Sequence, residues 1–297
     1  MTEVGENTGL DERYVRWIAR EALGEDGYSN DVTTSFLGIG GREIAGSIVA
    51  RAEGIVAGIG VARIVFEEAG GGVVYDPRLA DGSKVRDGTV IARIEGRASV
   101  ILAAERTALN FLQRLSGVAT LTAAFVERVK GTGAAILDTR KTTPLLRGLE
   151  KYAVRAGGGK NHRLGLSDMV LVKDNHIQVI GGGRLRDVLA SCAPPADVEV
   201  EVDSLAALRD LLGAPVQRLM LDNFSPGEVA EAVRLISAYG REHPVFAPAV
   251  EVSGGVDLSN VRDYAVPGVS FISIGALTHS APALDLSLEV TGDAGSV

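Results

Sequence analysis

The chain has 297 residues and a formal net charge of −8, with 46% hydrophobic and 23% charged residues. That length suits one large α/β barrel or two modest domains with a substantial core, and the acidity argues against a nucleic-acid surface, which needs a basic face. The single cysteine, Cys192, excludes an internal disulfide, fits a reducing compartment and reads as a small buried hydrophobe. The opening MTEVGENTGLDERYVRW is acidic and polar, unlike a signal peptide, and no apolar run approaches the roughly 20 residues of a membrane span. The expectation is a cytoplasmic protein.

Residues 10–23 set Leu10, Tyr14, Trp17 and Ile18 at helical spacing and predict a short amphipathic helix. Asp31, in the polar stretch GEDGYSNDVTTSF, is either a helix cap or a ligand. Residues 42–97 read as mixed strand and helix, with Asp81-Gly82 and Asp87-Gly88 as signals for tight hairpins. Residues 98–116 form a clear helix whose apolar face runs through Ile101, Leu102, Ala108, Leu109, Leu112 and Leu115. Glu105 and Arg106 interrupt that face, so Arg106 either pairs internally or crosses an interface into a pocket. Gly117 is expected to break the helix before a second one over 118–130. The domain boundary falls there, giving an N-terminal α/β domain over 1–116 and a second over 117–279, with a last strand near 280–297 returning to the first.

Beyond residue 131 a βα rhythm sets in. Strands are expected at 134–138, 169–173, 197–202, 218–222, 249–253 and 269–275, with helical patterns at 145–156, 184–191, 204–212 and 226–239. Several strands end on polar or small residues, which fits a parallel α/β barrel with functional groups at one end. A doubly wound sheet is the alternative, weakened because no Gly-x-Gly-x-x-Gly turn follows the first strand.

Charge is concentrated between Leu137 and Ile177, where eight Lys or Arg face four acids. These cations follow two apolar strand candidates, at the lip where parallel folds bind ligands. Gly157 to Gly159 precede Asn161, His162 and Arg163 and allow a tight turn close to a ligand. His162 reads as a donor to an anion, and with only His162 and His176 near the cluster a zinc site is not expected. Glu199 and Glu201 alternate with valines and share one strand face. Glu201 and Asp222, on adjacent strand ends, suit a hydrated Mg²⁺ or pair with Lys141 and Lys173. Ser253-Gly254-Gly255, and Ser273 with Gly275, follow late strands and are either plain turns or phosphate cradles.

Taken together, LDTRKTTP (137–144), GGGKNHRLGLSD (157–168), MVLVKDNHI (169–177), EVEVDS (199–204), LMLDNF (219–224) and VEVSGG (250–255) closely resemble the quinolinate phosphoribosyltransferase (carboxylating nicotinate-nucleotide pyrophosphorylase) family. ERTALNFLQRLSGVAT (105–120) and EDGYSNDVTTS (25–35) match it too, apart from Ser29-Asn30, where the family more often has glycine. The resemblance implies an N-terminal α/β sandwich followed by an incomplete parallel α/β barrel, assembled as dimers or higher oligomers. It implies Mg²⁺-dependent transfer of phosphoribosyl from phosphoribosyl pyrophosphate to quinolinate, yielding nicotinate mononucleotide, pyrophosphate and CO₂ in NAD biosynthesis. Arg106 would then complete a neighbour's site. Arg140, His162, Arg163 and Lys173 would clamp quinolinate beside Thr139, and Lys141 would neutralise phosphate. Glu201 and Asp222 would hold Mg²⁺, while Ser253, Gly254, Gly255 and Gly275, with Ser273 nearby, would take the 5′-phosphate. Competing readings are a phosphoribosyltransferase for nicotinate or another anionic heterocycle, a Schiff-base lyase using Lys173 or Lys141, and a non-catalytic polyanion-binding barrel.

Overall fold

The computed structural model describes residues 9–191 and 196–293; Cys192 lies outside them. In chain order the first elements are α1 (Glu12–Asp26), α2 (Val32–Leu37), β1 (Glu43–Ala50), β2 (Gly54–Ile55), α3 (Ile59–Glu68), β3 (Val74–Pro77), β4 (Lys84–Val85), β5 (Val90–Arg97) and α4 (Ala98–Val129). Then come β6 (Ala135–Leu137), α5 (Arg147–Ala156), β7 (Val170–Val172), α6 (Asp174–Ile180), α7 (Leu185–Ser191), β8 (Val198–Val202), α8 (Leu205–Leu211) and β9 (Arg218–Asp222). The chain continues through α9 (Pro226–Glu242), β10 (Ala249–Ser253), α10 (Val261–Tyr264), β11 (Phe271–Ser273), α11 (Ala276–His279) and β12 (Leu286–Asp293). These form two units. One comprises Met1–Ala123, Thr143–Gly158 and Ser280–Val297, and the other Ala124–Thr142 and Gly159–His279.

In the first unit, local chemistry sets the helix ends. The Asp11 carboxylate accepts the Arg13 N–H to start α1, and left-handed Gly27 (φ 67°) ends it. Asp31 proves to be a cap: it accepts the N–H groups of Thr33 and Thr34 at the start of α2. Helix α1 buries Val15, Ile18, Ala19 and Leu23, and its Arg16 reaches Glu67 and Glu68 on α3 at 2.8 Å each. The antiparallel sheet has the order β12-β1-β5-β3, so the last strand lies against the first, from Ile44–Asp293 to Ala50–Leu286.

Two expectations are corrected here. Asp81-Gly82 and Asp87-Gly88 do turn the chain, with Gly82 and Gly88 at φ 87° and 78°. They bracket β4 rather than joining hairpin partners, because β4 pairs with β2 while β5 pairs with β1 and β3. Gly117 does not break a helix; α4 runs unbroken for 32 residues. Glycine is required there by a close approach, since a Cβ would lie 2.0 Å from the Pro282 carbonyl oxygen. Gly157 has the same explanation. A Cβ on it would meet the Ala119 carbonyl oxygen at 2.4 Å, so this glycine serves packing against α4 rather than a ligand.

Glu150, on α5, is fully buried and accepts Arg114 Nη2 at 2.8 Å, the Thr143 N–H at 3.0 Å and the Thr143 hydroxyl at 2.8 Å. Breaking a buried pair leaves its other charge uncompensated. Glu150→Ala should therefore lower unfolding free energy by about 3–5 kcal/mol, read as a shifted urea midpoint at constant slope.

The second unit is a sheet of six strands in the order β6-β11-β10-β9-β8-β7, every pair parallel. From β7 to β11 each strand lies beside its successor in sequence. The winding never reverses, which rules out the doubly wound alternative. Edge strands β6 and β7 leave the barrel incomplete. Val200, Leu219, Leu221, Val252 and Ile272 are buried, as parallel strands covered on both faces require. Ser204 caps α8, and Ser225 with Glu228 forms a capping box on α9, where Pro226 opens the helix. Helix α6, directly after β7, has no counterpart among the expected helices. Among the described residues no helix is long and apolar enough to cross a membrane.

Candidate active site

The carboxyl ends of the parallel strands converge on a cavity of about 490 Å³. Thr139, Arg140 and Lys141 reach it from the turn after β6, and Lys173 from the end of β7. Glu201 comes from β8, Asp222 from β9, Ser253 and Gly254 from β10, and Ser273 from β11. His162 and Arg163 arrive on the loop before β7. That loop is tied down by Asp138, a fully buried carboxylate that accepts the His162 N–H at 2.9 Å and the Asn161 side chain. Gly255 and Gly275 adjoin the lining without forming part of it. Arg106 belongs to the other unit. It is exposed rather than set into the buried face of α4, and among the described residues it has no ion pair or hydrogen bond.

Electrostatics mark the cavity as an anion site. Burial, and next the neighbouring Arg140 cation, holds the Arg163 pKa below the usual guanidinium range. Arg163 Nη1 donates to the Met169 carbonyl at 3.3 Å, while its buried Nε has no acceptor among the described residues. A half-buried guanidinium with an unmet donor and a like charge beside it is suited to a carboxylate or phosphate.

The acids are arranged differently. Lys173 Nζ meets Glu201 Oε2 at 2.6 Å, the lysine pairing open in the sequence. Burial raises the Asp222 pKa, and repulsion from Glu201 raises it further. Asn223 Nδ2 donates to Asp222 Oδ2 at 2.7 Å. Asn223 itself is left-handed (φ 58°), with its N–H on the Ser253 carbonyl at 2.8 Å. Gly254 (φ 87°) must be glycine, because a Cβ would lie 2.2 Å from Asn223 Oδ1. Asn223 went unnoticed in the sequence. Its signal was the Asp-Asn step at a strand end, where asparagine tolerates the left-handed turn.

Ser273 lines the cavity, and its hydroxyl donates to Glu251. His162, expected as a donor to an anion, accepts the Arg163 N–H on Nδ1 at 2.8 Å, and its Nε2 lies 3.0 Å from Glu199 and 3.5 Å from Glu251. The two carboxylates are fully buried, and with His162 they bring three potential ligand atoms within 4.8 Å of one another. Glu251 was missed because an acid among valines in AVEVS reads as an outward-facing strand position.

Burial pushes both Glu199 and Glu251 up to about 7. A carboxyl whose folded pKa exceeds its unfolded one binds more protons when folded, so its contribution to stability is present at low pH and lost as pH rises through the folded value. Glu68 and Asp257, held low by their partners, finish titrating below this window. Denaturation free energy should therefore fall as pH climbs from about 5 to about 7, with a smaller slope in Glu251→Gln. A flat profile in the wild type would contradict the buried carboxyl pair.

The geometry defines a class: an α/β-barrel protein whose strand ends gather cations and acids around one cavity. Residues 31–116 match the family model for the quinolinate phosphoribosyl transferase N-terminal domain and 118–289 that for its C-terminal domain. The chain belongs to the quinolinate phosphoribosyltransferase family. It is 43% identical over 280 residues to the nicotinate-nucleotide pyrophosphorylase (carboxylating) of Mycobacterium leprae, covering 91% of this chain and 95% of the relative. To the Nicotiana glauca quinolinate phosphoribosyltransferase (decarboxylating) 1 it is 39% identical, covering 93% and 82%. The crystal structure of NadC from Streptococcus pyogenes superposes with a TM-score of 0.87 at 36% identity, covering 95% of this chain and 98% of that one.

Proposed function

We propose that this strand-end cavity is where the chain carries out its family's reaction, transfer of phosphoribosyl from phosphoribosyl pyrophosphate to quinolinate with loss of CO₂. The enzyme is a quinolinate phosphoribosyltransferase of NAD biosynthesis. Quinolinate carries two carboxylates on adjacent ring carbons and needs more than one fixed cation. Arg140, Arg163 and Lys173 supply them, with Thr139 contributing a hydroxyl. The observation that carries this assignment is Arg163, whose buried Nε has no acceptor among the described residues. Lys173 is paired with Glu201 and exchanges that partner for substrate.

The left-handed turn at Gly254 and Gly255 (φ 87° and 64°) presents backbone N–H groups to the 5′-phosphate. The backbone at Ser253 and Gly275 adjoins it, and Lys141 faces the pyrophosphate. Glu201 and Asp222 offer the oxygen ligands a hydrated Mg²⁺ prefers, and the repulsion between them is what a divalent cation would relieve. Bound there, Mg²⁺ would neutralise charge on the departing pyrophosphate. The quinolinate nitrogen bonds to C1′ as the C1′–pyrophosphate bond breaks. The C–C bond to the adjacent carboxylate then cleaves, its electron pair staying on the ring carbon beside the pyridinium nitrogen until a proton replaces CO₂. The chain's task is to hold the ring and exclude water. Exposed Arg106 completes the site of a second copy, so the working form is a dimer or a higher assembly, in the cytoplasm.

The test is product analysis with purified protein, Mg²⁺, phosphoribosyl pyrophosphate and either quinolinate or nicotinate. Nicotinate mononucleotide and CO₂ from quinolinate, with little product from nicotinate, is the expected result. Turnover of nicotinate alone would retain the phosphoribosyl half of the site and remove the two-carboxylate clamp. Omitting Mg²⁺ should abolish turnover, and gel filtration should show no monomer.

A further inference from the structure

Strands β6 and β11 are neighbours in the parallel sheet, with Ser273 opposite Leu137, and the Ile274 N–H continues the ladder onto the Leu137 carbonyl at 2.9 Å. The segments leaving their carboxyl ends therefore emerge side by side, although 137 positions of chain separate the residues that meet there. From β6 comes Thr139-Arg140-Lys141. From β11 come Gly275 and α11, which ends at His279.

Lys141 is held along most of its length at this junction. Its N–H donates to Thr139 Oγ1 at 3.0 Å. Its carbonyl accepts the Thr278 hydroxyl at 2.8 Å. Its stem passes so close over Gly275 that a Cβ there would lie 3.0 Å from Lys141 Cδ, with His279 Nε2 3.1 Å from the same point. The ammonium is the exception. Lys141 is exposed and lines the cavity, and its Nζ has neither an ion pair nor a hydrogen bond among the described residues.

Thr278 is fully buried. A threonine hydroxyl in a helix commonly bonds back to its own turn, and Thr278 Oγ1 does lie 3.2 Å from the Gly275 carbonyl oxygen. That carbonyl already accepts the N–H groups of Thr278 and His279, at 3.1 and 3.2 Å. The Lys141 carbonyl has no other donor among the described residues. A hydroxyl has one proton to give, and the nearer, otherwise unserved acceptor is Lys141. A lysine stem samples many rotamers, so fixing its root before a ligand arrives removes part of the ordering cost that binding would otherwise carry.

We propose that Thr278 is a positioning residue of the phosphoribosyl pyrophosphate site: by holding the Lys141 carbonyl, it fixes the root from which the ammonium reaches the pyrophosphate. It acts through Lys141 and touches no substrate itself. This rests on the phosphoribosyltransferase reading above, and the experiment separates the two.

Thr278→Val keeps the branched shape and removes the donor. The expected result is a KM for phosphoribosyl pyrophosphate raised at least about fivefold, with the KM for quinolinate within about twofold of wild type. Thr278→Ser keeps the hydroxyl and should stay within about twofold of wild type on both. The decisive comparison is a double-mutant cycle with Lys141→Ala, read without turnover by calorimetric titration of inorganic pyrophosphate in the presence of Mg²⁺. Alone, Thr278→Val should weaken pyrophosphate binding at least about fivefold, whereas added to Lys141→Ala it should change the Kd by less than about twofold. Once the ammonium is gone there is nothing left for Thr278 to aim. The same loss in both backgrounds would make Thr278 a packing residue and overturn the proposal. So would an unchanged Kd in Thr278→Val, or a serine variant as impaired as the valine one. If Thr278→Val does not fold, Thr278→Ala removes the same donor and takes its place in the cycle. A wild type that binds pyrophosphate but does not turn over quinolinate would remove the function and leave the cycle to decide Thr278; one that binds no pyrophosphate would remove both.

Discussion

Arg140→Ala is expected to lower kcat/KM for quinolinate by roughly 30-fold to several thousand-fold, equivalent to about 2–5 kcal/mol. Arg140 follows the end of β6 and lines the cavity. It stands near enough to Arg163 for its charge to depress the Arg163 pKa. The two guanidiniums repel each other, and a dianionic ring between them would relieve that cost. Without Arg140 one substrate carboxylate is still stripped of water but finds no planar fork in return. Arg140→Lys should recover only part of the loss, because an ammonium cannot bind a carboxylate through two parallel hydrogen bonds. Steady-state kinetics on both variants decide the matter. A loss below about fivefold for the alanine variant would contradict the assigned role.

Asp222→Asn is expected to cut kcat by about 100-fold or more, with a smaller change in the KM for quinolinate. Asp222 tests the acid pair more cleanly than Glu201 does, because removing Glu201 would also release Lys173 from its 2.6 Å ion pair. Burial and Glu201 both raise the Asp222 pKa, so its charge does not favour the fold, in keeping with the proposed role toward a cation. The variant should fold at least as well as the wild type and need more Mg²⁺ for half-maximal rate. A Mg²⁺ titration is the deciding measurement. An unchanged midpoint together with full kcat would move the metal elsewhere.

The second unit was largely legible because its strands are buried on both faces and read as apolar runs stopped by a polar residue. That ending on Asp138, Lys173, Asp222 and Ser253 located the rim of the barrel as well as the strands. Helix α6 was hidden because it starts on the residue after Lys173, leaving no turn signal between strand and helix. Gly117 and Gly157 misled for a different reason. A glycine in a sequence announces freedom to turn, yet both are glycine because a distant carbonyl approaches, and that carbonyl leaves no trace nearby in the chain. His162 is the corresponding case within the site. Its place beside Arg163 in the cavity was readable, whereas the acids near its Nε2 sit far along the chain on β8 and β10. The charged character of the pocket was therefore readable, and the grouping of buried acids behind it was not.

The placement of β12 has a consequence for synthesis. Strand β1 is made early but cannot acquire its β12 neighbour until residues 286–293 have been translated. Helix α5, from mid-chain, also belongs to this first unit. A growing chain therefore exposes one open edge of β1 while the whole barrel is being made, the kind of long-range closure that folds slowly and invites association between nascent chains. A ribosome-stalled product ending at residue 285 should remain dependent on chaperones, and supplying the missing strand as a peptide in trans should release it.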